Sequence, residues 1–323
     1  MGWEKLLLIT STLIKTWSFV RIVANTNVYH KHYLHFLVNC YEYITCQSMR
    51  EACRQDVVPP NIQMEREGTM RITTIGCNGS VTGERRTTCY MVDDDILIDA
   101  GSGAGDLSLA QSIVIDTVFL THSHLDHCAF LPLLADAAGS FRKSPLTIYA
   151  LPETIDILRQ HMFNNQLWVD YTALPTPERP YIRFYPIRLG ETVTLRDRNI
   201  TALPARHSIP CIAYRIDSGI ASLVYSADTT FCEEFWRALN HIGNLKYLLI
   251  ENTFRNDNVA GARRSGHSTA NLLAQGLRLL ERPVELFIVH LEAGYEEATM
   301  AEVMSTAGEF KPQMLQRGHV FEL

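Results

Sequence analysis

Thr121-His122-Ser123-His124-Leu125-Asp126-His127 places three histidines and an aspartate within six positions. Neutral imidazole and carboxylate are both ligands for zinc and its neighbours. The run follows Ile115 to Leu120, which reads as a buried strand. Residues two apart at a strand end point the same way, so His122 and His124 are expected to grip one ion. Asp126 and His127 come after the strand and can turn toward a second. A helix cap would account for Asp126, but it leaves three clustered histidines without a role.

The chain of 323 residues is long enough for one large domain or two smaller ones. Its hydrophobic content of 46% and charged content of 20% are ordinary for a globular protein. A formal net charge of −6 argues against a broad nucleic-acid footprint. None of the eight cysteines forms a CxxC pair, which favours reduced thiols and a cytoplasmic setting.

Residues 1–69 differ from the rest. They carry seven Lys and Arg against six Asp and Glu, while the remainder carries 22 against 29. Leu6 to Ile14 resembles the apolar part of a signal peptide, but Glu4 sits in the flank that should be basic and no prompt cleavage site follows. Lys15 and Arg21 break the run well short of a membrane span. His30, His32 and His35 have no partners nearby to complete a site. The expectation is a poorly structured extension over 1–69, followed by a catalytic domain over 70–323.

From Met70 onward short apolar strands recur, at 71–76, 88–92, 96–99, 117–121, 145–150, 181–187, 200–205, 211–216, 222–226, 247–251 and 284–289. Helical patterns cover 128–138, 153–163, 233–239, 269–280 and 296–307. Asp93-Asp94-Asp95 reads as a hairpin turn. Gly101, Gly103 and Gly105 do not complete a dinucleotide fingerprint; they suit a sharp turn beside a crowded site. The aromatic and proline-rich segment 164–180 suits a lid, an oligomer contact or a packed loop equally well. Strands with interspersed helices suggest two sheets sandwiched by helices.

A pair of ions needs about three or four protein ligands each, more than the opening run supplies. His207, Asp228 and His290 each lie just past an apolar strand, where a polar side chain can face a shared edge.

With these residues the chain from Met70 on resembles the metallo-β-lactamase superfamily. The motifs are HSHLDH at 122–127, His207, Asp228 in SADTT and His290 in FIVH. HSHLDH followed by CAFLPLLAD, with TIGCNGS at 74–80, LIDAGSG at 97–103 and ENTF at 251–254, is similar to class II cyclic-nucleotide phosphodiesterases. The resemblance implies an α/β, four-layer αβ/βα sandwich with metals at the sheet edges. It implies His122, His124 and His207 on one ion, Asp126, His127 and His290 on the other, and Asp228 between them. The ions would be Zn2+, with Mn2+ or Fe2+ fitting the same N/O donors. They would share a hydroxide, the attacking group on phosphorus. His267 in SGHST resembles the histidine that phosphodiesterase members place beside the leaving group. It would act as general acid, helped by Glu251, with Asp126 counted among the catalytic residues as well as the ligands.

Asp228 with His267 favours phosphodiester cleavage. The tRNA 3′-processing endonuclease needs a basic arm for its polyanionic substrate, and the residues between 127 and 207 offer only scattered basic groups. The expected substrate is therefore a small cyclic nucleotide, 3′,5′-cyclic AMP first, with neither membrane nor nucleic acid as partner and a homodimer open. A tRNA endonuclease is the alternative within this chemistry. An inactive metal-binding interaction protein is the alternative outside it.

Overall fold

A computed structural model describes residues 69–323. The expected extension up to residue 68, with the signal-like run and His30, His32 and His35, lies outside the described residues.

The first half forms β1 (Arg71–Gly76), β2 (Cys89–Val92), β3 (Ile96–Ile98), β4 (Thr117–Phe119), β5 (Leu146–Ala150), a short ribbon β6 (Pro175–Thr176) and β7 (Arg179–Pro180), and β8 (Ile182–Pro186). The second half forms β9 (Thr192–Leu195), β10 (Arg198–Pro204), β11 (Ile212–Asp217), β12 (Ser222–Tyr225), β13 (Leu245–Glu251), β14 (Glu285–Val289), β15 (Gln313–Met314) and β16 (Val320–Glu322). Two seven-stranded sheets result, ordered β16-β1-β2-β3-β4-β5-β8 and β15-β14-β13-β12-β11-β10-β9. The closing strand β16 crosses back to the first sheet and pairs antiparallel with β1, Ile72 opposite Phe321.

The helices are α1 (Leu109–Val114), α2 (Leu125–Cys128), α3 (Leu131–Gly139), α4 (Pro152–His161), α5 (Glu233–Asn240), α6 (Val259–Ser265), α7 (Ala270–Leu277) and α8 (Glu296–Ala307). Three apolar cores separate four layers. Ile96 and Ile98 face Tyr214 and Tyr225 between the sheets. Leu97, between them in sequence, points the other way toward Leu131 and Leu134 of α3. On the far side Leu248 and Ile250 of β13 meet Phe235 and Trp236 of α5. Strands buried on both faces carry continuous apolar runs, which is why they were readable. The expected αβ/βα sandwich is the observed fold.

Two local expectations change. Residues 128–138 are not one helix: the chain breaks after α2, and Pro132 opens α3, where a missing N–H costs nothing. Strand β4 stops at Phe119, because the Thr121 N–H turns to the Asp99 carboxylate (2.8 Å) instead of continuing the ladder. Segment 164–180, open between a lid, an oligomer contact and a packed loop, contains the β6–β7 ribbon, and its Tyr171 is buried and donates its hydroxyl hydrogen bond to Asp136. No helix among the described residues is long and apolar enough to cross a membrane.

A buried ion cluster ties the sheets together at one rim. Arg198, at the start of β10, is 2% exposed. Its guanidinium binds Asp95 through two nitrogens and lies 3.3 Å from Asp93. Both acids come from the hairpin turn expected at 93–95. Removing one partner of a buried ion pair typically costs roughly 3–5 kcal/mol. Arg198→Met is therefore expected to lower unfolding stability by about that amount, read from denaturant titration, without loss of any metal-binding residue. A change within ~0.5 kcal/mol, ordinary for a surface substitution, would refute the clamp.

Candidate metal centre

The parallel strands deliver their last residues to one edge of the sandwich. Asp99 follows β3, the His122–His127 run follows β4, His207 follows β10, Asp228 follows β12, Glu251 ends β13 and His290 follows β14. Three exits turn through left-handed backbone: Asp99 (φ 59°), Ala227 (φ 56°) and His290 (φ 59°). Such a conformation is disfavoured for non-glycine residues and gathers at functional sites. Gly101 answers to close approach: a Cβ there would lie 2.0 Å from the Asp126 carbonyl oxygen.

The opening run behaves differently from a strand end. His122 sits in the loop beyond β4, and His124 is the residue preceding α2, with Asp126 and His127 in that helical turn. Asp126 does not cap it. The turn still assembles two ligand groups, His122, His124, His207 and Asp228, and Asp126, His127, Asp228 and His290. Within each group the ligand atoms lie within 4.8 Å of one another.

Asp228 belongs to both. Its Oδ2 lies 3.6 Å from His122 Nε2, 3.3 Å from His127 Nε2, 4.0 Å from His207 Nε2 and 3.4 Å from His290 Nε2. His290 Nε2 is also 3.0 Å from Asp126 Oδ2. His124 alone turns its Nδ1 inward, 3.1 Å from the Nε2 atoms of both His122 and His207.

Burial pushes His122, His124 and His207 down, so these imidazoles are neutral and ready to coordinate. Burial also opposes ionisation of Asp228, yet the imidazoles of His290 and His127 outweigh it and hold the acid well below the usual carboxylate range. His127 is pushed the other way: burial lowers it, but Asp228 and Asp99 overcome that and favour the imidazolium.

Three supporting residues escaped the sequence reading as individuals. Asp99, fully buried, accepts from His127 Nδ1 (2.7 Å) and from the Thr121 hydroxyl (2.9 Å). The Thr121 hydroxyl also meets His122 Nδ1 at 3.0 Å. Thr253 does the same beside Glu251 and His290. Carboxylate or hydroxyl partners on the outer nitrogen are what orient ligating histidines. The signal in sequence was faint: a threonine before the first histidine, and another two residues after Glu251.

The donor set fits divalent ions. Asp228 Oδ1 and His127 Nε2 are buried without a hydrogen-bond partner, and a convergent set of imidazole and carboxylate donors suits zinc, manganese or iron.

His267 is adjacent. Its Nε2 lies 4.0 Å from Asp228 Oδ2, and its Nδ1 lies 3.1 Å from Glu251 Oε1. It is no cap for α7, whose preceding residue is Thr269. Burial alone would lower the imidazole, but the Glu251 carboxylate outweighs it and lifts the pKa to about 9 in the metal-free chain.

His124, Asp126, Asp228, His267 and His290 line a cleft of about 450 Å³, with Phe254, Leu125 and Glu292 at its walls. A larger cavity of about 910 Å³ lies beyond Cys77 and Asn78 and contains none of the clustered histidines. The chemistry belongs to the smaller cleft.

A family model described as a beta-lactamase superfamily domain matches residues 95–291. The chain is similar to a probable 3′,5′-cyclic-nucleotide phosphodiesterase of Yersinia pestis, 30% identical over 183 residues, 52% of each chain. It is also similar to ribonuclease Z of Clostridium tetani, 30% identical over 210 residues, 60% of this chain and 66% of that one. The chain thus spans about half the length of the first relative and less than two thirds of the second. The crystal structure of unliganded yeast PDE1 has the same fold, with a TM-score of 0.67 and 18% identity over 79% of this chain and 100% of that one.

Proposed function

This chain belongs to the β-lactamase superfamily, and we propose that it is a phosphodiesterase acting on a small cyclic nucleotide, with 3′,5′-cyclic AMP the first substrate to test. Family and donor sets together make it a metallo-hydrolase of metallo-β-lactamase fold. The phosphodiester and the cyclic nucleotide are our own reading.

The observation that carries the phosphodiester is His267, backed by Glu251 and facing Asp228 across 4.0 Å. An ester oxygen leaving phosphorus from a sugar is a poor leaving group and needs a proton. His122, His124, His207 and Asp228 would hold one ion, and Asp126, His127, His290 and Asp228 the other. When bound, two divalent ions would supply positive charge there and would bring the pKa of water toward neutral pH. His267 Nδ1–H donates to Glu251, so the proton on Nε2 points into the cleft. Attack by the oxygen of a water that has given one proton to solvent forms the new P–O bond. As the P–O bond to the sugar breaks, that Nε2 proton passes to the departing oxygen. Glu251 holds the imidazolium before transfer.

Cleft size and charge support a small substrate. Pockets of about 300–1,000 Å³ suit a compact ligand, and the cleft is about 450 Å³. Glu292 at its wall and a net charge of −6 disfavour an extended polyanion. Phe254 offers a face for a base. The ribonuclease Z relative keeps a tRNA precursor as the second substrate to test.

Metal-loaded protein should turn over bis(p-nitrophenyl) phosphate and at least one 3′,5′-cyclic nucleotide in a panel. Cleavage of a tRNA precursor with no cyclic nucleotide consumed would replace the small-substrate reading with the endonuclease. No turnover of any of the three would leave a metal-binding interaction protein.

A further inference from the structure

Thr253 is a small residue with an unusual set of neighbours. Its Oγ1 lies 3.0 Å from Glu251 Oε2, 3.0 Å from His290 Nδ1 and 3.2 Å from His267 Nδ1. A hydroxyl has one proton to give and two lone pairs to receive with.

The direction of each bond follows from counting donors. Glu251 receives the backbone N–H groups of Thr229 (3.1 Å) and Ser268 (3.1 Å) on Oε1 and that of Thr253 (2.9 Å) on Oε2. Backbone N–H groups only donate, and His267 Nδ1 adds a further donor on Oε1. A carboxylate has no hydrogen to give, so Glu251 acts as acceptor throughout. The Thr253 proton therefore goes to Glu251 Oε2, and its oxygen accepts from His290 Nδ1, because the one Nδ1 hydrogen of His267 already goes to Glu251 Oε1. His290 Nδ1 then carries hydrogen and donates to Thr253. The lone pair of His290 is left on Nε2, the atom that faces Asp126 Oδ2 and Asp228 Oδ2.

We propose that Thr253 is a positioning residue that locks His290 as an Nε2 ligand of the second ion, and that it carries this constraint from Glu251. One carboxylate thereby orients both the histidine that binds metal and the histidine beside the leaving group. The same device stands on the opposite sheet, where Thr121 joins Asp99 to His122 Nδ1. The proposal rests on the two-ion reading of the site and adds the residue that sets the weaker or stronger hold of one ion.

The test is zinc titration of metal-free protein against a chromophoric chelator, with ions counted per chain. Thr253→Val keeps the shape and removes the hydroxyl. It should weaken one of the two ions by about 10–100-fold, the usual effect of losing a partner of a ligating histidine, and leave the other unchanged. Thr253→Ser keeps the hydroxyl and should restore the affinity. In a His290→Ala background Thr253→Val should add no further loss, because the two changes act on one interaction. Two equally tight ions in Thr253→Val, weakening of both ions alike, or an additive loss in the double variant would each overturn the proposal. If circular dichroism shows Thr253→Val unfolded, Thr253→Ala carries the same titration. A wild-type chain that binds no zinc would instead overturn the two-ion reading itself.

Discussion

Asp228→Asn is expected to remove bound metal and activity together. No other side chain lies in both ligand groups. Its Oδ2 is within 4.0 Å of five histidine Nε2 atoms, four of them in the ligand groups, and the residue is 1% exposed. An amide takes away the negative charge that offsets two cations and can turn N–H donors toward lone pairs that should face metal. Losing a supporting partner alone typically costs 10–100-fold in metal affinity, so loss of a shared ligand should exceed about 100-fold. Metal analysis after dialysis should show the wild type holding two ions and the variant fewer than one, with activity lost in parallel. The fold needs its own check by circular dichroism, because in the metal-free chain Asp228 is also the counter-charge for His127. A folded Asp228→Asn chain holding two ions would refute the shared-ligand role.

His267→Ala should behave in the opposite way, keeping both ions and losing rate. General acid help is worth about 10²–10⁴-fold. The loss should appear with a cyclic nucleotide, whose sugar oxygen needs a proton, and largely vanish with bis(p-nitrophenyl) phosphate, whose phenolate leaves unaided. The pH dependence has a definite sign. The acid must be protonated to act, so the rate falls as pH rises through its folded pKa. That value is about 9 without metal, and nearby cations pull it lower in the loaded site. His267→Ala should lack this alkaline limb. Folding of the metal-free chain is linked to the same group. The folded pKa is raised above the unfolded value of about 6.5, so the His267–Glu251 pair stabilises fully below that pH and fades as pH climbs to about 9. Metal loss in His267→Ala, or an equal rate loss with both substrates, would count against the assignment.

Much of this architecture was legible because buried parallel strands are continuous apolar runs, as in Tyr247 to Ile250 or Leu286 to Val289. The residues just past apolar strands stood out as isolated polar groups, and His207, Asp228 and His290 were found that way. Strand β9 was missed because its alternating exposed threonines carry no apolar run. Strand β16 was missed because it is three residues long and owes its existence to a partner some 250 positions away. Helix α1 was overlooked despite its capping box of Ser108 and Gln111. The supporting roles of Asp99, Thr121 and Thr253 depend on contacts between strand exits, such as the 22-residue separation of Thr121 from Asp99. Periodicity within a segment says nothing about such contacts.

The Arg198 cluster sits where β3 and β10 begin, while every candidate ligand sits where strands end. Durability and chemistry thus occupy opposite rims of the sandwich. Substrate preference can be reshaped at residues such as Phe254 and Glu292 without disturbing the clamp. Conversely, a variant library aimed at heat resistance can be confined to the far rim and screened for lifetime alone. Changes at the ligand rim therefore leave the contact between Arg198 and the 93–95 turn in place.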